Sequence, residues 1–267
     1  MAKSKILVTL RQADRVWAVG AIHGDLEKLE AVHDALALQL RDGDRIVYLG
    51  NTIGYGPDSV GVIDELLRFR CWFLGRPPFV HVEDLVFLRG AQEEMFQRLL
   101  QIQFAKDPDT VFSWMLERGL RATLESYGAD IDDARNRCRE GTLALTYWTS
   151  SVRERLRVHP GHDTYFSHLK QAAYRDDGAV LFVSAGLDTG KPITAQSDAF
   201  WWATRSFETV DEPYRGFQRV VRGVDIEPRG LVDAPYTLSL DGGSGRGGSL
   251  IAACLSAAGD VLETIQA

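Results

Sequence analysis

Along the first third of the chain, short apolar runs that stop at glycine alternate with longer stretches of helical period. Arg15–Gly20 (RVWAVG), Asp44–Gly50 (DRIVYLG) and Asp84–Gly90 (DLVFLRG) each read as a buried strand. Asp25–Leu40 carries apolar residues at 26, 29, 32, 36 and 40, close to a 3.6-residue repeat, with Asp25 as its N-cap. Asp58–Arg70 opens acidic and closes basic, as the helix dipole favours. AQEEMFQRLLQIQF, from Ala91, continues as a third helix. Strand, glycine loop and helix repeat in that order, which predicts a parallel sheet with right-handed crossovers.

The pattern then changes. Roughly from Glu93 to Arg175 no convincing strand is present, and Trp114 and Trp148 sit among helix formers and charges. This stretch is expected to be a helical insertion, about 95–175, in a single domain spanning 1–267. AVLFVSAG (Ala179–Gly186) resumes the strand pattern, and QRVVRG, YTLSL, GGSLIAACLS and DVLETIQA follow. DGGSGRGGS (Asp241–Ser249) fits G-x-G-x-x-G, but no helix pattern follows it. It reads as a tight interstrand loop rather than a dinucleotide site.

Composition narrows the function. A chain of 267 residues, 45% hydrophobic, buries a full core without a structural metal. The net charge of −7 argues against a broad grip on nucleic acid or anionic lipid. Three scattered cysteines show no zinc spacing. The apolar run in MAKSKILVTLRQ is too short for a signal peptide, and no run reaches a membrane span of about 18 residues. The expected setting is the cytoplasm, with reduced thiols.

The loops after the strands carry the functional signal. In order, AVGAIHGDLEKLEAV, YLGNTIGYGPDSVGVIDEL, FLRGAQEEM, LFVSAGLDTGKP and VVRGVDIEPRG occur, with SLDGGSGRGGSLIAACL behind them. Together they resemble the bacterial phosphoprotein-phosphatase branch of the calcineurin-like metallophosphoesterases. That family carries G-D-x-H-G, G-D-x-x-D-R-G, G-N-H-E, H-A-G and G-H-[DT] at these places. The resemblance covers about two thirds of the chain and omits the helical middle. It implies two packed mixed β-sheets flanked by helices, an α/β fold, here with a helical cap.

Residue by residue, the chain departs from the family pattern. The first aspartate of G-D-x-H-G is Ala21, while His23 and Gly24 remain. The metal-bridging aspartate is Asn51, the next aspartate is Gly54, and the phosphate-binding arginine is Tyr55. Ala91 stands for the metal-binding asparagine and Gln92 for the histidine that assists the leaving group; Glu93 remains. Ser184 and Val224 stand for the last two histidines. Two dications about 3.5 Å apart repel by roughly 19 kcal/mol at an effective dielectric of about 20. Anionic ligands must offset that, and one histidine with neutral amides does not.

The resemblance therefore implies a pseudophosphatase with no catalytic residue and no cofactor, acting on unidentified protein partners or a ligand. Its altered pocket offers His23, Asn51, Tyr55, Arg89, Gln92, Ser184 and Asp225 as candidate ligand-binding residues. Two alternatives stay open. One is a phosphoesterase or Ser/Thr phosphatase with a non-standard site, holding one weak divalent metal relocated to Asp25, Asp188, Asp225 or Glu93. The other is a small-molecule sensor using the emptied pocket. Asp25 is more simply a cap and Asp225 a solvated loop residue. His23 reads as a buried relic hydrogen-bonded to backbone. His159, His162 and His168 read as surface residues, and Trp201–Trp202 as core packing.

Overall fold

The computed structural model describes residues 7–11, 13–76 and 81–267. Met1–Ile6, part of the run weighed as a leader, lie outside them. The strands predicted for the first third are β2 (Val16–Val19), β3 (Arg45–Tyr48) and β4 (Leu85–Phe87). Between and after them come α1 (Leu26–Gln39), α2 (Ser59–Leu74) and α3 (Ala91–Leu99). Asp25 does cap α1, its Oδ1 accepting from Lys28 N. These three strands pair in parallel, and β10 (Ile251–Leu255) and β11 (Val261–Gln266) extend the sheet antiparallel, in the order β11-β10-β2-β3-β4.

A second sheet is six-stranded. It contains β1 (Leu7–Leu10), β5 (Ala172–Arg175), β6 (Val180–Val183), β7 (Arg219–Arg222), β8 (Gly230–Asp233) and β9 (Thr237–Asp241), ordered β1-β5-β6-β7-β9-β8. The two mixed sheets pack face to face. Ala18, Val47, Leu49 and Val86 meet Phe182, Val221 and Leu238 between them. The alternate residues Trp17, Val19, Ile46 and Tyr48 face outward under α1 and α2, and Leu181, Val183 and Val220 form a third cluster on the outer side. A strand buried on both faces needs no polar alternation, which is why these runs read as continuously apolar.

Three strands lie where helix or no element was expected. β5 falls inside the span read as helical, and β1 and β8 were not read at all. β1 and β5 pair in parallel from Leu7↔Ala172 to Leu10↔Arg175. Neither LVTL nor AAYR has a strong β signal alone, so each depends on its partner. The helices between β4 and β5 are α3, α4 (Pro108–Met115), α5 (Arg121–Ser126), α6 (Ile131–Glu140), α7 (Thr142–Val158) and α8 (His162–His168). Phe112, Met115, Leu120, Leu124, Trp148 and Val152 join the outward cluster of the five-stranded sheet. Trp148 is buried in that cluster, and its Nε1 ties α7 to the start of α6 by donating to Asp130 O at 3.2 Å. Trp114 stays 38% exposed beside Trp202 at 39%, so the core reading holds for Trp201 and not for its neighbour. No helix among the described residues is long and apolar enough to cross a membrane.

Candidate functional site

Three loops leave the carboxyl ends of β2, β3 and β4 and meet those that leave β6 and β7. Ala21 N donates to Gly223 O at 3.1 Å, and Val224 N to Ser184 O at 3.0 Å. Asn51 Nδ2 donates to Ser184 Oγ at 3.1 Å, across the gap between the sheets. The loop positions singled out in the sequence therefore do converge: Ala21, His23, Asn51, Gln92, Ser184 and Val224 surround one point.

Glu93 holds this convergence together. Its carboxylate is fully buried and accepts from the N–H groups of Asn51 at 2.9 Å, Thr52 at 2.7 Å and Gly90 at 2.8 Å, and from Thr52 Oγ1 at 2.8 Å. Among those partners there is no cation; a ring of donors carries the charge instead. The Asn51 amide is also committed at both ends, since its Oδ1 accepts from Gln92 N at 3.0 Å. Burial of these groups without partners would cost several kcal/mol, so the network fixes the loops.

Tyr55 stands at the mouth of this convergence, 37% exposed. Its ring stands edge-on to His23, with centroids 5.1 Å apart, and Arg246 lies 5.1 Å over the same ring. The cap closes on it: Tyr55 N donates to Gly119 O at 3.2 Å, and Gln92 Nε2 donates to Arg118 O at 2.7 Å. Gly119 sits in a kinked turn, Leu116–Leu120, at φ +103°, and a β-carbon there would meet the Tyr55 ring at 3.0 Å. Only glycine allows both that backbone and that approach. His23, Asn51 and Tyr55 themselves have φ of 55°, 53° and 43°. Among the described residues, three of the five non-glycine residues in the left-handed region thus belong to this site, so backbone strain of about 1 kcal/mol or more each is concentrated here.

His23 is buried, as expected, but its bond to backbone is a long one, Nδ1 to Ile53 O at 3.4 Å. Among the described residues its Nε2 has no partner, nor does the buried Gln92 Oε1. Burial, reinforced by Arg246, pushes the imidazole down to about 3, so it is neutral.

Two of the candidate residues are spent elsewhere. Arg89 pairs with Glu94 at 3.0 Å. Asp225 is not solvated: it is 6% exposed and pairs with Arg222 and Arg229. Burial raises its carboxyl, but Arg229 and Arg222 outweigh that and hold it below the usual range. Asp188 pairs with Lys191 and Asp25 with Lys28. Residues that sequence reasoning missed are Arg246, from the glycine-rich loop, and Arg118 and Gly119, from the cap. That loop does lie between strands; it also folds back onto the site, Ser244 Oγ donating to Ile22 O at 2.9 Å. No local signal announces these approaches.

The donors at the convergence suit a metal pair poorly. They are one imidazole nitrogen, an amide oxygen already accepting, a serine hydroxyl and a carboxylate saturated by N–H donors. No residue of this site belongs to the one cluster of metal-capable side chains found among the described residues, Asp64, His159 and His162.

No family model matches the chain, and no curated protein sequence matches it. Solved structures do. A "putative diadenosine tetraphosphatase" aligns with TM-score 0.57 and 20% identity over 97% of each chain. A protein serine/threonine phosphatase from Saccharomyces cerevisiae aligns with TM-score 0.54 and 11% identity, over 99% of this chain and 84% of the other. A hypothetical protein from Pyrococcus horikoshii OT3 aligns with TM-score 0.50 and 15% identity, over 94% and 87%. At these identities the likeness is one of architecture: two packed mixed sheets with flanking helices, in the fold of the calcineurin-like metallophosphoesterases.

Proposed function

We propose that this chain keeps a metallophosphoesterase scaffold without phosphatase chemistry, and acts by binding protein partners. The observation that carries the reading is Tyr55. Its ring lies across the mouth of the convergence, 37% exposed, packed edge-on against His23 and touched by the cap at Gly119. Hydrolysis at phosphorus by the two-metal route needs room for a phosphoryl group, a metal-bound water and anionic ligands. Tyr55 stands across the entrance to that room, and Ala21, Asn51, Gln92, Ser184 and Val224 withhold the ligands.

A partner surface fits the cap better than the pocket. Trp114 and Trp202 lie together half-exposed, with Arg118 stacked 4.4 Å over Trp114. Trp and Arg are the side chains enriched in binding hot spots. The Arg118 carbonyl is the one that Gln92 holds, so this surface is anchored to the altered pocket. Pull-down with Trp114→Ala and Trp202→Ala, against Asn51→Ala, tests it. Loss of partners only in the tryptophan variants supports a cap surface; loss only in Asn51→Ala contradicts it.

One observation favours the second reading, a single-metal phosphoesterase: His23 Nε2 is buried and unpartnered. Phosphatase activity that disappears in His23→Ala would establish that reading and overturn the first.

A further inference from the structure

We propose that Asp64, His159 and His162 form a binding site for a first-row transition dication of the zinc class, which clips the cap to α2. The site is separate from the His23 convergence and does not rest on the reading given for it.

The sequence places the two histidines around HPGH. α7 ends with His159 as its C-cap, and α8 begins at His162. Pro160 and Gly161 do break the helix, as the sequence suggests, but the turn brings the two rings together instead of separating them. Gly161 has φ +88°, and a β-carbon there would stand 2.9 Å from Leu67 Cδ1 on α2. The turn therefore presses onto the helix that carries Asp64. His159 and His162 stack with centroids 5.1 Å apart and planes at 28°. His162 Nε2 lies 3.0 Å from Asp64 Oδ1. One ligand atom from each of the three residues lies within 4.8 Å of the others. The expectation of surface histidines is met by His168, which is exposed and turned to Thr164 O. It is not met by His162, which is fully buried.

Two features make this more than a polar cluster. First, the other nitrogen of His162, Nδ1, lies 2.6 Å from the hydroxyl of Tyr127, which is itself buried. Metal-binding histidines are held in this way, the free ring nitrogen fixed by a second group while the other faces the ion. Second, the three donors differ in burial: His162 is buried, His159 half-buried and Asp64 exposed. Buried His162 forms the floor and exposed Asp64 the mouth, where the contact between them would be exchanged for the ion. Donors around a tetrahedral zinc stand about 3.4 Å apart, given bonds of about 2.0–2.2 Å. His162 Nε2 and Asp64 Oδ1, now 3.0 Å apart, open to about 3.4 Å to admit the ion, and His159 turns in toward them. Two imidazoles with one carboxylate suit zinc, cobalt or nickel over magnesium or calcium.

The test is calorimetry and thermal melting of tag-free, chelator-stripped protein titrated with zinc, and with cobalt as a spectroscopic probe. The expected result is one equivalent bound with Kd below about 10 µM, and a melting point about 5 °C higher at a hundredfold excess over Kd. His159→Ala and Asp64→Asn, both at accessible positions, should each weaken binding at least tenfold. Tyr127→Phe, which keeps the ring but frees Nδ1, should weaken it about tenfold. His23→Ala should leave it unchanged, which separates this site from the convergence. No binding at 100 µM metal, binding only weaker than that, or binding lost in His23→Ala but kept in His159→Ala would overturn the proposal.

Discussion

The ring of Tyr55 stands edge-on to the imidazole of His23, its plane at 82° and its centroid 5.1 Å away. That contact joins a loop of the five-stranded sheet to its neighbour, and the cap turn at Gly119 closes over it. Tyr55→Ala should therefore cost about 1–2 kcal/mol. It should also speed amide exchange across Leu116–Leu120 more than across α7. Uniform loosening, or none, would show that the cap turn does not depend on the plug.

Acid should find His23. Its imidazole titrates near 3 when folded because it is buried beside Arg246, and near 6.5 when unfolded. Below 6.5 the unfolded chain binds the additional proton, so stability is present above that pH and is lost as pH falls from 6.5 toward 3. The slope is about 1.4 kcal/mol per pH unit. Buried His33 and His162, also lowered mainly by burial, act in the same direction. Urea midpoints of wild type and His23→Gln between pH 7 and pH 5 separate the contribution, and the wild type should fall more steeply. Parallel curves would refute the assignment.

Glu93 should be the most sensitive position of the site. Glu93→Gln turns an amide N–H toward a ring of donors that now meets a carboxylate at 2.7–2.9 Å. A loss of about 3 kcal/mol is expected from chemical denaturation. A loss under 1 kcal/mol would mean that the ring is not what fixes these loops.

Much of this was legible in the chain. DRIVYLG and AVLFVSAG gave their strands because burial on both faces leaves an unbroken apolar run. The five loops could be placed together because each follows such a strand. β1 and β5 were not legible, since LVTL and AAYR become strands by pairing with each other. Nor was the plug: Tyr55 is visible in the sequence, but Gly119 and Arg246 reach it from segments 64 and 191 residues farther along. Asp225 was misjudged because its partner Arg222, at the end of β7, is buried, and the sequence gives no sign that an arginine three residues before a loop aspartate lies inside.

Restoring one carboxylate should not restore a site. Asn51→Asp puts a charge where Oδ1 now accepts from Gln92 N, in a loop whose backbone N–H groups already hold the Glu93 carboxylate. The variant is expected to lose about 1–3 kcal/mol at neutral pH and recover part of it on acidification. It should remain without phosphatase activity, because groups that act as a unit are not rebuilt singly. Melting points in chelator at two pH values check this; an equal or higher melting point at neutral pH would contradict it.

The central claim is tested most directly by hydrolysis of p-nitrophenyl phosphate with added manganese, read beside His23→Ala and Asp64→Asn. No turnover above buffer in any of the three proteins is the predicted result, whether or not metal binds at Asp64. Turnover by the wild type that is lost in His23→Ala and kept in Asp64→Asn would show a working centre behind Tyr55 and contradict it.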